Sequence, residues 1–333
     1  MDQSNWNPAE LLKLSGGYWS ACALHAGVKL DLFSHSGTVA ELARATSSDA
    51  RGLEMLLNAL VALGLLGKEG EHYAPTAFAA EYLARHSPHY LGYIIQHHHH
   101  LMAGWSRLDE AVQSGAPLRD RVSHAGDEAE RESFEMGMFN LAMQIAPRIV
   151  GNVDLHDRQR LLDLGGGPGT YAIHFCQSNP QLTATVYDLP STRPFAEKTI
   201  ATFSLSDRIS FAEGDFISDD VPRGFDVAWL SHILHGEGPE GCAVILQRAV
   251  AALEPGGMLL VQEFILDDSM DGPLFPALFS LNMLLNTPHG QAYSQGQLEA
   301  MLRAAGVTSI RRLDIDLPNG AGVMAGIVSK REL

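Results

Sequence analysis

Cysteine is scarce in this chain. Three residues in 333, Cys22, Cys176 and Cys242, stand far apart with no C-x-x-C spacing. That removes a disulfide framework and a cysteine-ligated metal centre, and fits a reduced compartment. Basic residues are also few, 23 against 39 acids, for a formal net charge of −16. A surface of that sign repels the phosphates of nucleic acid and of anionic membranes, which need clustered Lys and Arg; neither is an expected partner. No apolar run reaches the roughly 18 residues of a membrane helix. The opening MDQSNWNPAELL lacks the basic region and apolar core of a secretion signal, so a cytoplasmic location is expected. Hydrophobic content of 46% with 19% charged residues is ample for a sizeable core, and the length allows two domains.

The organising stretch is LLDLGGGPGT, Leu161 to Thr170. A short apolar run suited to a buried parallel strand breaks into Gly165, Gly166, Gly167 and Gly169, and a helical pattern through Tyr171, Ile173 and Phe175 follows. Glycine permits positive φ and lets a ligand approach bare backbone, and the helix behind it presents unpaired N–H groups. The next strand ends on Asp188, about where a ribose diol is held in nucleotide-cofactor crossovers. A dinucleotide fingerprint wants glycines at relative positions 1, 3 and 6. Here they fall at 1, 3 and 5, Gly165, Gly167 and Gly169, with Thr170 at position 6. That spacing resembles the S-adenosylmethionine (SAM) loop of Rossmann-like methyltransferases.

Upstream, residues 8 to 33 read as helix with Pro8 near its start. Thr38 and Glu41 form a capping box, and Ser48 or Asp49 can cap a second helix with Leu53, Leu56, Leu57 and Leu60 on one face. Gly64 and Gly67 end it, and Leu65–Gly67 with Glu71–Ala74 make a small hairpin, a winged-helix pattern. The second helix carries one basic residue, Arg51, against Asp49 and Glu54, too few groove-reading side chains for DNA. A scaffold for subunit pairing is favoured. Residues 88 to 150 are mostly helical, with Met138 and Met143 in an apolar stretch that suits a dimer seam or a pocket for a flat acceptor. In the run His97 to His100, neighbours diverge by about 100° on a helix. At best one i,i+3 pair forms, on a wet helix face or beside the pocket, and no metal site is expected.

The polar segment 151 to 160 links residues 1–150, a helical dimerisation and lid domain, to a cofactor domain over 151–333. There strands near 161–164, 183–187, 209–213, 225–230, 257–264, 308–315 and 322–329 alternate with helices, and Pro318–Gly320 turns the last two into a hairpin. The expected fold is α/β, a Rossmann-like doubly wound sheet. EGDF ends the third strand and offers Asp215 to an adenine amino group and Phe216 to its ring. After the fourth strand come His232 and His235, of which His235 is better placed. Methyl transfer from a sulfonium is one displacement, and a phenolic acceptor also needs a proton removed; a phenol pKa near 10 lets an imidazole near 6.5 assist. Glu263 ends the next strand, one position across the sheet, and can orient that imidazole.

DLGGGPG at 163–169, YDLP at 187–190, GDF at 214–216, SHILH at 231–235, LEPGGMLLVQE at 253–263 and GQAYS at 290–294 follow in an order that resembles the plant-type small-molecule O-methyltransferases. The segment LEMLLNALVALGLL is similar to that family's winged-helix dimerisation domain. The resemblance implies a class I methyltransferase fold, a homodimer, SAM as donor and His235 as base, with Glu263 beside it. It implies cofactor contacts from Asp163, Gly165, Gly167, Asp188, Leu189, Gly214, Asp215, Phe216 and Ser231. Acceptor contacts are expected from Met138, Met143, His232 and Asn286. The chain departs from the family at three points: Gly236 and Glu237 follow the histidine where Asp-Trp is usual, Ser231 replaces a lysine, and Ala292 stands where a second glutamate would bracket the base. A methyltransferase acting on S, N or C by proximity alone, and a SAM-binding relative that does not methylate, remain as alternative readings.

Overall fold

A computed structural model describes residues 6–119 and 128–329. The first five residues, on which the reading of the amino terminus partly rests, lie outside that range. The chain divides into two compact units. One runs to Met102 and takes in Glu132–Asn140; the other holds the rest, from Ala103.

The first unit opens on α1 (Pro8–Ser15), capped by the Asn7 side chain on the Ala9 and Glu10 amides, and α2 (Tyr18–Lys29). The single helix expected over residues 8 to 33 is thus broken. Gly16 and Gly17 interrupt it, two consecutive residues with no side chain to hold the helix, and a short 3-10 turn, Leu32–Ser34, follows α2. Next come β1 (Gly37–Thr38), α3 (Val39–Ala45), α4 (Ala50–Ala62), β2 (Leu66–Glu69), β3 (His72–Pro75) and α5 (Ala77–Tyr82). The capping box forms as the spacing predicts, with the Thr38 hydroxyl on Glu41 N–H and the Glu41 carboxylate on Thr38 N–H. Of the two candidates for the α4 cap, Asp49 serves, accepting from Gly52 N–H at 2.9 Å. Leu53, Leu57 and Leu60 turn inward onto Val28, Phe33 and Tyr73. The strands pair antiparallel in the order β1-β3-β2, completing the winged helix.

Helices α6 (Gly92–Trp105) and α8 (Glu128–Val150) contribute to both units, and α7 (Leu108–Ser114) belongs to the second. The second unit is built on β4 (Arg160–Leu164), β5 (Thr183–Asp188), β6 (Ile209–Glu213), β7 (Phe225–Ser231), β8 (Leu253–Leu266), β9 (Tyr293–Ser294), β10 (Val307–Arg312) and β11 (Ala321–Val328). Between them lie α9 (Thr170–Ser178), α10 (Arg193–Thr202), α11 (Pro239–Ala252), α12 (Leu274–Asn286) and α13 (Gln295–Ala304). The sheet order is β10-β11-β8-β7-β4-β5-β6, with β9 on β8. Only β11 runs against its neighbours. This is a doubly wound, mostly parallel sheet that follows an N-terminal helical domain.

Strand geometry sends alternate residues to opposite faces. Leu161, Val227, Trp229 and Leu260 enter one core, while Leu162, Ala228, Leu230 and Val261 enter the other. Both faces are covered, so the sheet presents its ligand-binding capacity at its carboxyl edge. The order reverses between β4 and β7, the switch point where open α/β sheets leave a crevice.

Candidate active site

Gly165, Gly167 and Gly169, at φ of +66°, +54° and +79°, bend the chain from β4 into α9. That left-handed sequence disfavours residues with a β-carbon. Gly165 has a second reason to lack one, because a Cβ there would approach Ile233 to 2.7 Å and Phe216 to 3.2 Å. Asp188 closes the loop: its Oδ2 accepts Gly167 N–H at 2.8 Å and its Oδ1 accepts Leu189 N–H at 2.7 Å. Burial raises the Asp188 carboxyl and these amides pull it partly back. Beneath the loop, Asp163 is fully buried, with Oδ2 accepting Ala172 N–H at 3.2 Å. Its Oδ1 has no hydrogen-bond partner among the described residues, and burial pushes the carboxyl up to about 7.

Gly214 N–H donates to the Asp188 carbonyl at 3.0 Å, and a side chain at 214 would collide with the Tyr187 hydroxyl. Asp215 is half-buried and its Oδ1 accepts Ile217 N–H at 2.8 Å, so it shapes its own turn as well as ending the strand. Phe216 reaches back over Gly165. Ser231 donates to Gln262 Oε1 at 3.1 Å. Asp163, Asp188, Asp215, Phe216 and Ser231 thus gather along one sheet edge.

His235 sits in a 3-10 turn, Leu234–Gly236, just past β7. Glu263, on β8, is almost wholly buried beneath it. Glu263 Oε1 accepts the N–H groups of Leu234 (2.9 Å) and His235 (3.2 Å), and Oε2 lies 2.7 Å from His235 Nδ1. The carboxylate therefore fixes both the turn and the ring. Burial alone would raise Glu263, but the His235 and His232 imidazoles facing it outweigh burial and hold it far below the usual carboxylate range. His232 is left-handed at φ +57°, with Nδ1 3.6 Å from Glu263 Oε2 and its ring 4.3 Å from that of Phe264.

Aromatic side chains with no motif of their own complete this edge. The Phe279 ring meets His235 edge-on at 4.7 Å, and Phe264 packs on both Phe275 and Phe279 at 4.8 Å. Phe275, Phe279, Asn282 and Asn286 fall at i, i+4, i+7 and i+11, one face of α12. That spacing was the available signal. Asn286 turns its amide to Asn282 O at 2.7 Å, and Asn282 Oδ1 takes the indole N–H of Trp105 at 3.2 Å. Asn286 Oδ1 is buried without a hydrogen-bond partner among the described residues. Met143 Sδ lies 3.3 Å from His174 Nε2, whereas Met138 belongs to the other compact unit. Of the run expected on a wet helix face or beside the pocket, His97 is buried against Phe134, and His99 meets buried His25 at 5.6 Å.

Models of known families match both parts of the chain. The O-methyltransferase domain matches residues 105–308 and the O-methyltransferase dimerisation domain residues 12–85. The chain is 35% identical to the 3-hydroxy-5-methyl-1-naphthoate 3-O-methyltransferase of Streptomyces sahachiroi, over 96% of this chain and 95% of that protein. It is 33% identical to the tetracenomycin polyketide synthesis 8-O-methyltransferase of Streptomyces glaucescens, over 94% and 95% respectively. Among solved structures it resembles human N-acetylserotonin methyltransferase in complex with SAM, at 26% identity and a TM-score of 0.86, covering 99% of this chain and 100% of that one.

Proposed function

This chain belongs to the O-methyltransferase family, and we propose that it methylates a hydroxyl group on an aromatic small molecule with His235 as general base. It is a SAM-dependent O-methyltransferase of small molecules. The residues at the glycine loop fit that donor. Ile233 and Phe216 occupy the space a Cβ on Gly165 would need, so the backbone there stays bare, and the buried Asp163 keeps an oxygen without a protein partner among the described residues. Asp163, Gly165, Gly167, Asp188, Leu189, Gly214, Asp215, Phe216 and Ser231 would hold it. When bound, the sulfonium supplies an activated methyl group.

The observation that carries the base assignment is the 2.7 Å contact from His235 Nδ1 to Glu263 Oε2. With both backbone amides on Oε1, Glu263 has Oε2 left to accept the Nδ1 proton, which leaves the lone pair on Nε2. An acceptor hydroxyl beside Nε2 gives up its proton as its oxygen takes the methyl, and the imidazolium formed is stabilised by the carboxylate behind it. Phe264, Phe275 and Phe279 supply apolar faces beside that ring, suited to a planar aromatic acceptor. His232, Met143 and Asn286 are candidate acceptor contacts on this unit. In the first unit, Leu12, Leu14, Tyr18 and Trp19 are exposed along α1 and α2 within the matched dimerisation domain, which supports pairing as a homodimer.

Incubation with SAM and a panel of phenols tests the reading. His235→Ala should slow S-adenosylhomocysteine formation by about 10²- to 10⁴-fold and leave binding of that product within a factor of about two. A nearly intact rate would replace this reading with transfer by proximity to sulfur, nitrogen or carbon.

A further inference from the structure

We propose that His232, His235 and Glu263 also form a site for a divalent transition-metal cation, zinc foremost, and that its occupancy switches the base off. One ring nitrogen from each histidine and one carboxylate oxygen lie within 4.8 Å of one another, the one such group of three among the described residues. Both Nδ1 atoms address the same oxygen, at 2.7 Å from His235 and 3.6 Å from His232.

His232 supplies the independent observation. Its Nδ1 is buried with no hydrogen-bond partner among the described residues, since 3.6 Å is too long for a hydrogen bond. A buried polar nitrogen in that state is costly. The residue adopts a left-handed backbone, at φ +57°, a region that histidine enters more readily than most side chains, and this turns its ring toward Glu263. His232 Nδ1 thus faces the carboxylate without being hydrogen-bonded to it, a donor atom already turned toward the centre of the group.

The donor set selects the cation. Two imidazoles and a carboxylate, with a fourth position left to solvent or substrate, suit zinc and its first-row neighbours and not magnesium or calcium. Bonds of about 2.0 to 2.2 Å place tetrahedral ligand atoms roughly 3.3 Å apart. The 3.6 Å pair already meets that spacing. The 2.7 Å pair opens by about half an ångström as the metal takes the place of the shared proton. The His232 and His235 side chains retain 22% and 13% exposure, which gives the ion a way in.

The chemical consequence follows from the tautomer. Metal at His235 Nδ1 displaces the proton there, and the neutral ring then carries its proton on Nε2. A ring protonated at Nε2 donates a hydrogen bond but takes no proton from a hydroxyl. This consequence rests on His235 being the base; binding of the ion does not.

The experiment separates the two. Chelator-treated full-length chain is titrated with Co²⁺ alone, without SAM or acceptor, following the visible ligand-field bands. One equivalent should saturate a tetrahedral-type spectrum that Zn²⁺ then bleaches. His232→Asn, chosen because asparagine tolerates the left-handed backbone, should weaken binding at least about tenfold with an unchanged circular dichroism spectrum. No saturable band, or equal affinity in the variant, overturns the site, the latter placing the ion elsewhere, as on the His97–His100 run. Zn²⁺ should inhibit methyl transfer in step with occupancy, with EDTA restoring it. A band weakened by His232→Asn together with full activity at saturating Zn²⁺ upholds the site and removes His235 as base.

Discussion

Gly290 is packed against the carbonyl oxygen of His235. A methyl group at position 290 would collide with that oxygen and with the Thr287 hydroxyl, and would lie 3.0 Å from the Gly236 carbonyl carbon. The GQAYS segment therefore buttresses the turn that carries the base. Three residues on, the Tyr293 hydroxyl donates to Glu237 O at 2.6 Å, and Cys242 Sγ donates to Leu234 O at 3.2 Å. Backbone carbonyls on both sides of His235 are thereby tied down.

Gly290→Ala should shift this turn because the atoms it meets are mostly backbone, which has little room to yield. We expect kcat to fall by about tenfold or more, since an ångström of misplacement can cost about a hundredfold. Affinity for S-adenosylhomocysteine, measured by calorimetry, should be unchanged. Equal loss in both would mean the glycine loop had moved too.

Glu263→Gln keeps the size of the side chain and changes its hydrogen-bond polarity. The remaining oxygen can still accept Leu234 and His235 N–H, so the fold should hold. The amide nitrogen then faces His235 Nδ1 as a donor and drives the ring proton to Nε2, the wrong tautomer for a base. The turnover rate should fall by about 10²- to 10⁴-fold with little change in acceptor KM. An unaltered circular dichroism spectrum would separate this outcome from unfolding.

The glycine loop and Asp188 were legible because strand, turn and helix are contiguous, and the 21 residues from Gly167 to Asp188 span a single crossover. Pairing of His235 with Glu263 was legible as well, since consecutive strands of this topology lie side by side and β7 pairs with β8. The aromatic group was not. Phe264 comes from β8 while Phe275 and Phe279 come from α12, and nothing local announces that two elements place them together. The left-handed backbone of His232 escaped for a similar reason: histidine carries no turn signature, so its conformation is imposed by the structure around it. Gly16 and Gly17 were the reverse case, a local breaker overlooked beneath a continuous apolar periodicity.

Trp19 and Leu12, 69% and 72% exposed, are the most solvent-facing large apolar residues on α1 and α2. Neither contributes to the core of its own unit, so charge at these positions should leave the chain folded. If this face joins two copies, Leu12→Glu with Trp19→Glu should convert a dimer to a monomer in sedimentation velocity. A double variant that still sediments as the wild type does would place the pairing surface elsewhere.

Asp163 gives a pH dependence with a definite sign. Its carboxyl is raised from 3.8 to about 7 by burial, with the Asp188 charge adding to the rise and the Ala172 amide opposing it. The folded state therefore keeps this proton up to near neutrality, while the unfolded chain releases it near its ordinary value. Between those two pH values the folded state binds more protons, so stability falls as pH rises. The full effect of about three pH units corresponds to roughly 4 kcal/mol, reached above neutrality and absent below about pH 4. Thermal melts of the ligand-free protein from pH 5 to 8 should show a declining midpoint. Asp163→Asn removes the titration while its side-chain oxygen can still accept Ala172 N–H, so its midpoint should decline less and exceed the wild type at pH 8. Parallel curves for the two proteins would show that Asp163 is ionised throughout, with its second oxygen satisfied by water or by a group that moves to meet it.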